Sequence, residues 1–220
     1  MGIAKTENEE TQRPIQSPGQ TLGKCFQVID LGTQTGAYQG KPIIQRKIWI
    51  SWETPKFRAE FSKEKGEQVM VISNEYTNSL DPKAGLRQML DSWFAKPIDK
   101  MPVERAKKLL GMSAMLQIIN EPKKKNPAIT QAKIASKGKA VFPVDPSLKP
   151  DKKTENEQIY FDLDPAEYSD EVFAKVPEFL RKKIMDSPEY KALKAGAPAA
   201  TGNAIVDAQG ADFNQEEEDF

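Results

Sequence analysis

Between Ile43 and Glu53 the chain reads IIQRKIWISWE, and its side chains alternate in character almost without a break. Ile44, Ile48, Ile50 and Trp52 fall on one face; Gln45, Lys47, Trp49, Ser51 and Glu53 fall on the other. A period of two is the signature of a strand buried on one side, and a slip of one residue would turn Ile50 and Trp52 into water. One residue breaks the rule, because Arg46 puts a cation on the apolar face. The fold must therefore be built on a sheet with one covered surface.

The neighbouring segments supply partners for that strand. KCFQVIDL (24–31) reads as a short strand, followed by a glycine-rich connection, GTQTGAYQGK (32–41). QVMVISNEYT (68–77) is a third strand, rich in β-branched residues. The spacing then changes: Leu86, Leu90 and Trp93 in SLDPKAGLRQMLDSWF (79–94) predict a helix, with Asp81 as N-cap and Pro82 at its first position. A second short helix is expected over 102–111, closed by Gly111. MSAMLQIIN (112–120) and AITQAKIAS (128–136) form a closing hairpin across the loop EPKKKNP. Five strands with a helical insertion between the third and fourth predict a mainly-β fold with some helix, the OB-fold barrel, over 23–141. An open α+β sheet satisfies the same periods.

Polar segments flank this body. Residues 1–22 read as a disordered arm, and 142–195 as a linker, an edge strand at 158–165 and helices over 169–194 interrupted at Pro177 and Pro188. Val172, Val176, Phe179 and Leu180 make a stripe expected to dock on the barrel. Residues 196–220 read as a flexible tether carrying an acidic tail.

Composition narrows the chemistry. The chain has no histidine among its 220 residues, which removes the commonest general base, the commonest zinc ligand and every Ser-His or Cys-His arrangement. Its single cysteine, Cys25, can form no disulfide within the chain and reads as a buried hydrophobe. There is no GxxxxGK[ST] loop and no CxxC pair. Asp162 and Asp164 share a strand face in YFDLD but gather no lysine in nuclease-like spacing. Binding without catalysis, and without a cofactor, is the expectation. No apolar run suits a signal peptide or a membrane span, so the cytoplasm is the expected compartment.

The formal charge of zero conceals a division. Residues 24–153 hold 24 basic and 13 acidic side chains, net +11, whereas 154–220 hold 6 basic and 16 acidic, net −10. A basic body with an acidic end suggests a nucleic-acid binder whose tail competes for the same surface. The last residues are the most specific signal. Asp212, Glu216, Glu217, Glu218 and Asp219 precede Phe220, which carries the terminal carboxylate, a combination suited to a basic pocket with an apolar slot.

A basic body, a flexible linker and an acidic tail ending in phenylalanine resemble the plan of bacterial and phage single-stranded DNA-binding proteins, the podovirus type in particular. The body is also similar to a group of small phage proteins grouped with replication modules. The segments that carry this likeness are CFQVIDLGTQ (25–34), YTNSL (76–80), YFDLD (160–164) and SPEYK (187–191). The likeness covers most of 24–194 and the tail, which departs from the cellular ending in lacking proline before Phe220. It implies an OB-fold that coats single-stranded DNA without sequence preference during phage replication or recombination, in the host cytoplasm, with the tail recruiting phage or host replication proteins.

Single-strand binders pair a cationic groove with aromatic side chains on which bases stack. Trp49, beside Lys47 on the polar face, is either such a platform or a residue covered by the C-terminal segment. Tyr38 and Lys41 lie in the first connection, where OB-folds contact ligands, and Tyr76 is a further aromatic at the end of the third strand. Lys123, Lys124 and Lys125 occupy the loop tip of the closing hairpin, and Lys133, Lys137 and Lys139 share parity beyond it. A solvated lysine loop would look the same. The alternative to DNA binding is an interaction adaptor or recombination mediator whose barrel does not grip DNA; assembly as a homodimer fits either reading.

Overall fold

The first strand is far longer than the segment 24–31 suggests, because residues 113–118 pair with its start and residues 41–53 with its remainder. The computed structural model describes residues 14–38, 40–61, 63–123, 126–135, 140–145, 147 and 152–196. In chain order these form β1 (Gly19–Tyr38), β2 (Lys41–Glu60), β3 (Glu67–Thr77), α1 (Gly85–Phe94), α2 (Val103–Lys107), β4 (Ser113–Lys123) and β5 (Asn126–Ile134). There follow β6 (Val141–Phe142), β7 (Ile159–Phe161), α3 (Asp170–Lys175), α4 (Glu178–Asp186) and α5 (Pro188–Lys194). The chain is mainly β, and its antiparallel sheet curls into a half-barrel in the order β3-β2-β1-β4-β5. The outer members of that path, β3 and β5, come close to one another.

Strand β1 is the hinge of the architecture. Its first part, Gly19–Lys24, pairs with β4, and its remainder pairs with β2 as far as Tyr38 opposite Lys41. Where β4 departs, β7 takes its place, running parallel to β1 with Gln27, Val28 and Ile29 opposite Ile159, Tyr160 and Phe161. The register with β2 shifts between Cys25 and Gln27 and again between Asp30 and Gly32. Such bulges sharpen the local twist and re-aim side chains. Gly32, at φ +68°, sits where the second shift requires a left-handed backbone.

Two apolar clusters result. The inner one holds Val28, Ile50, Trp52, Ile72, Leu116 and Ile118 against Leu86, Leu90 and Trp93 of α1. The outer one joins Ile29 and Leu31 of β1 to Phe161 of β7 and to Val176, Leu180 and Ile184 of the C-terminal helices. CFQVIDL lacks alternation because Val28 packs inward and Ile29 outward.

Several expected boundaries move. The expected disordered arm is ordered from residue 14: Gly19–Leu22 belong to β1, and buried Gln16 donates its amide to Val71 O at 3.1 Å. Residues 1–13 lie outside the described residues. The glycine-rich connection is strand as far as Tyr38. Helix α1 starts at Gly85; Asp81 does not cap it and instead accepts from Lys83 N in a local turn. Helix α2 ends at Lys107, and Gly111 lies in a turn beyond it, donating to Cys25 O at 2.7 Å. In the closing hairpin Glu121, Pro122 and Lys123 are strand, not loop, and β5 ends at Ile134.

The expected linker is also structured in part, as β6 and as a strap. Buried Glu53 accepts from the backbone N–H groups of Glu155 and Asn156 and from the Asn156 side chain at 3.0–3.1 Å. Lys24 Nζ reaches Lys153 O at 2.8 Å. Pro177 and Pro188 do divide the C-terminal helices, Pro188 standing at the first position of α5 behind the capping Ser187. The tether and tail lie outside the described residues. Among the described residues no helix is long and apolar enough to cross a membrane.

Candidate functional site

The pleat places Lys47, Trp49, Ser51 and Glu53 on the outer face of β2, opposite Thr77, Glu75, Ser73 and Val71 of β3. A polar ladder runs through the middle of this face. Trp49 Nε1 and Ser73 Oγ each donate to Ser51 Oγ at 2.9 Å, and Ser51 passes its own proton to Gln27 Oε1 at 2.9 Å. Lys47 Nζ donates to Gln45 Oε1 at 2.9 Å and Thr77 Oγ1 at 3.0 Å. Lys41 is exposed at the hairpin end, its backbone opposite Tyr38, whose side chain lies outside the description.

Trp49 belongs to the covered alternative. Its ring packs on the outer cluster and meets Phe179 of α4 edge to face, with centroids 5.7 Å apart. The docking stripe therefore needs correction: Val176 and Leu180 are buried, but Phe179 is 54% exposed beside Trp49. Lys183 of α4 pairs with Glu75 at 2.7 Å on the same face.

The remaining sequence candidates scatter. Tyr76, partly buried, packs against the inner cluster, and burial pushes its phenol up to about 12. Lys123 sits in strand β4 opposite Asn126, and Lys133 of β5 pairs with Glu121 at 2.9 Å, closing the hairpin on itself. Lys124, Lys125, Lys137 and Lys139 lie outside the described residues, as do Asp212, Glu216, Glu217, Glu218, Asp219 and Phe220. Lys47, Trp49 and Lys41 thus share one sheet face, while Tyr76 packs towards the inner cluster and Lys133 pairs with Glu121.

A second constellation escaped the sequence reading, although Arg46 announced it. On the inner face the Arg46 guanidinium grips Asp30 of β1 through Nε and Nη2, and Asp162 lies 4.0 Å from Nη2. Tyr160 donates its hydroxyl to Asp162 Oδ2 at 2.7 Å. Burial pushes the Asp30 carboxyl up while the Arg46 contact draws it down, and the net direction is upward. Glu189 of α5 accepts from Thr33 N at 2.8 Å and from the Thr33 hydroxyl. Among the described residues no group of histidine, cysteine or carboxylate side chains is arranged to hold a metal ion.

No protein-family model matches the chain, and no curated protein sequence matches it either.

Proposed function

We propose that the protein binds single-stranded DNA without sequence preference, through the outer face of β2 and β3 and the two hairpins that flank it. The observation that carries this reading is the charge division, +11 over residues 24–153 against −10 over 154–220. It is supported by the strand path: β1 shared between β2 and β4, with β3 and β5 approaching, is the order of an OB-fold barrel with its seam unzipped. OB-folds bind oligonucleotides on strands two and three and on the loops after strands one and four. Here those loops join Tyr38 to Lys41 and Lys123 to Asn126.

On this reading Lys41 and Lys47 capture phosphates, and Lys124 and Lys125 extend the cationic track. The exposed ring of Phe179, braced by Trp49, supplies a stacking surface beside them, worth about 1–3 kcal/mol per base in proteins of this type. The acidic tail competes for the same track and, once displaced, offers Phe220 and its carboxylates to a replication partner. The protein does this without turnover, as a coat for strands opened in replication or recombination.

One observation favours the adaptor reading: Trp49 already has Phe179 on its ring and Ser51 on its indole nitrogen. Fluorescence anisotropy of labelled oligo-dT separates the two, using the full chain and a version ending at Gly210 across a salt series. The DNA reading expects binding that weakens with salt, with a slope of about −0.7 per phosphate neutralised, and that tightens on tail removal. No binding by either form at low salt overturns it and leaves the adaptor.

A further inference from the structure

The inner face of the sheet is incompletely filled. A cavity of about 250 Å³ lies between β1–β2 and helices α1 and α2. Its walls are apolar, formed by Ile48 and Ile50 of the sheet and by Leu80, Leu86, Leu90 and Leu109 opposite them. One end is polar and consists of Asp30, Arg46, Asn78, Tyr160 and Asp162. An apolar chamber with a few convergent polar groups is the usual form of a small-molecule site, and this one has room for a single ring or short chain.

The polar end has a definite sign. Among the described residues that line it Arg46 is the one cation; it grips Asp30 and lies at the outer limit of ion-pair distance, 4.0 Å, from Asp162. Glu189 adds a third negative group to the field at Arg46. Lys107, over the Tyr160 ring, is itself paired with Glu167. Asp162 accepts from Tyr160 and from Asp164 N, which leaves lone pairs free on a carboxylate with four acceptor sites. The same field is felt by Tyr160, whose phenol is pushed far up by burial first and then by Asp162, Glu167 and Asp30. An anion entering this cavity would meet excess negative charge, whereas a cation would relieve it.

Three separate stretches of sequence line it: Val28 and Asp30 come from 25–34, Asn78 and Leu80 from 76–80, and Tyr160 and Asp162 from 160–164, while Glu189 of 187–191 acts only through its field at Arg46. These segments carry the resemblance to the small phage proteins, and the cavity residues they supply face away from the outer face of β2 and β3.

We propose that this cavity binds a small organic cation, a primary amine or amidinium, with its charge on Asp162 and its apolar body along Ile48, Leu80 and Leu86. The test is proton–nitrogen NMR of the full chain titrated with benzamidine and n-butylamine, with butyrate as the anionic control. Both cations are expected to shift the amides of Asn78, Leu80 and Val103, and butyrate to shift none of them. Asp162→Asn, which keeps an acceptor for Tyr160, should weaken cation binding about tenfold, or about 1.4 kcal/mol. Val103→Phe, at the partly exposed rim, should weaken it by filling the chamber. Putrescine and Nα-acetyl-lysine methylamide distinguish the source: a free amine if only putrescine binds, a protein lysine if the capped residue binds as well. Butyrate binding as tightly as butylamine, shifts confined to another surface, or cation affinity unchanged in both variants would overturn the proposal.

Discussion

Arg46 shows how one residue out of pattern fixes a local structure. A cation on the apolar face of β2 is held there by Asp30, whose side chain is only 6% exposed and which accepts from two of its nitrogens. Removing one partner of a buried pair leaves an uncompensated charge, a loss of about 3–5 kcal/mol where both are fully enclosed. Arg46 retains 40% of its side-chain exposure, so Arg46→Met should cost about 2 kcal/mol in urea denaturation. Adding Asp30→Leu to that variant should recover most of the loss, since the stranded carboxylate goes with it. Glu189 gives a pH signature. Burial alone would raise its pKa, but the hydroxyl and backbone N–H of Thr33 outweigh burial and hold it below its ordinary 4.5. Its contribution is therefore complete above pH 4.5 and is lost as pH falls through the depressed value. Acid titration of stability should be flatter in that window for Glu189→Gln than for the parent. Arg46 was legible as an exception; its partner was not, because a register carrying two bulges decides which β1 residue faces it.

At the scale of elements, strand period was a good guide where one face is wet and a poor one where both are dry. Strand β2 is legible as a strand from Ile43 to Glu53, but its period misjudges burial, since Ile44 is 74% exposed while Ser51 and Glu53 are buried, and β1 is cut short at both ends. Its residues 25–31 carry no alternation, and its outer half is a glycine-containing hairpin arm held by pairing with β2. Helix α1 was found from Leu86, Leu90 and Trp93, while its start was misplaced because Asp81 satisfies a turn of its own. Of the site candidates, Trp49 and Lys47 share one face of β2, as their parity in the sequence implies. The exposure of Phe179 was illegible, since it depends on how α4 sits over Trp49. Element packing also makes a sharp prediction at Gly32. A Cβ there would stand 2.6 Å from Ser187 Cβ and Oγ and 2.9 Å from Glu189 Oε2, on a backbone at φ +68°. Gly32→Ala should cost about 2–4 kcal/mol, as left-handed strain and overpacking add. Its effect should appear as early loss of protection in α5 during hydrogen exchange.

Across the whole molecule, the acidic C-terminal part, residues 154–220, is tied to the basic body in two ways. Ion pairs cross between them: Arg58 with Glu155, Lys107 with Glu167 and Lys183 with Glu75, all at the surface. Beneath them lies the outer cluster, with Leu180 and Ile184 fully buried against β1. Surface pairs contribute about 0–1 kcal/mol each and are screened by salt, while apolar burial is not. Raising ionic strength should therefore shift the melting temperature only slightly in calorimetry, with a single transition throughout. A separate early transition of the C-terminal helices at high salt would show that charge, and not packing, holds them. The overall partition of charge could be counted from the sequence; the attachment of the two parts could not, because β7 pairs with a strand 130 residues earlier.

That distant pairing has a consequence for how the chain is made. Until Phe161 has left the ribosome, Ile29 has no neighbour on its open edge, and Leu31 has no helix above it. For most of synthesis the nascent chain thus displays a bare strand margin next to an uncovered apolar patch, the arrangement most prone to self-association. Closure must wait for the last quarter of the chain, so the fold is completed from its end backwards.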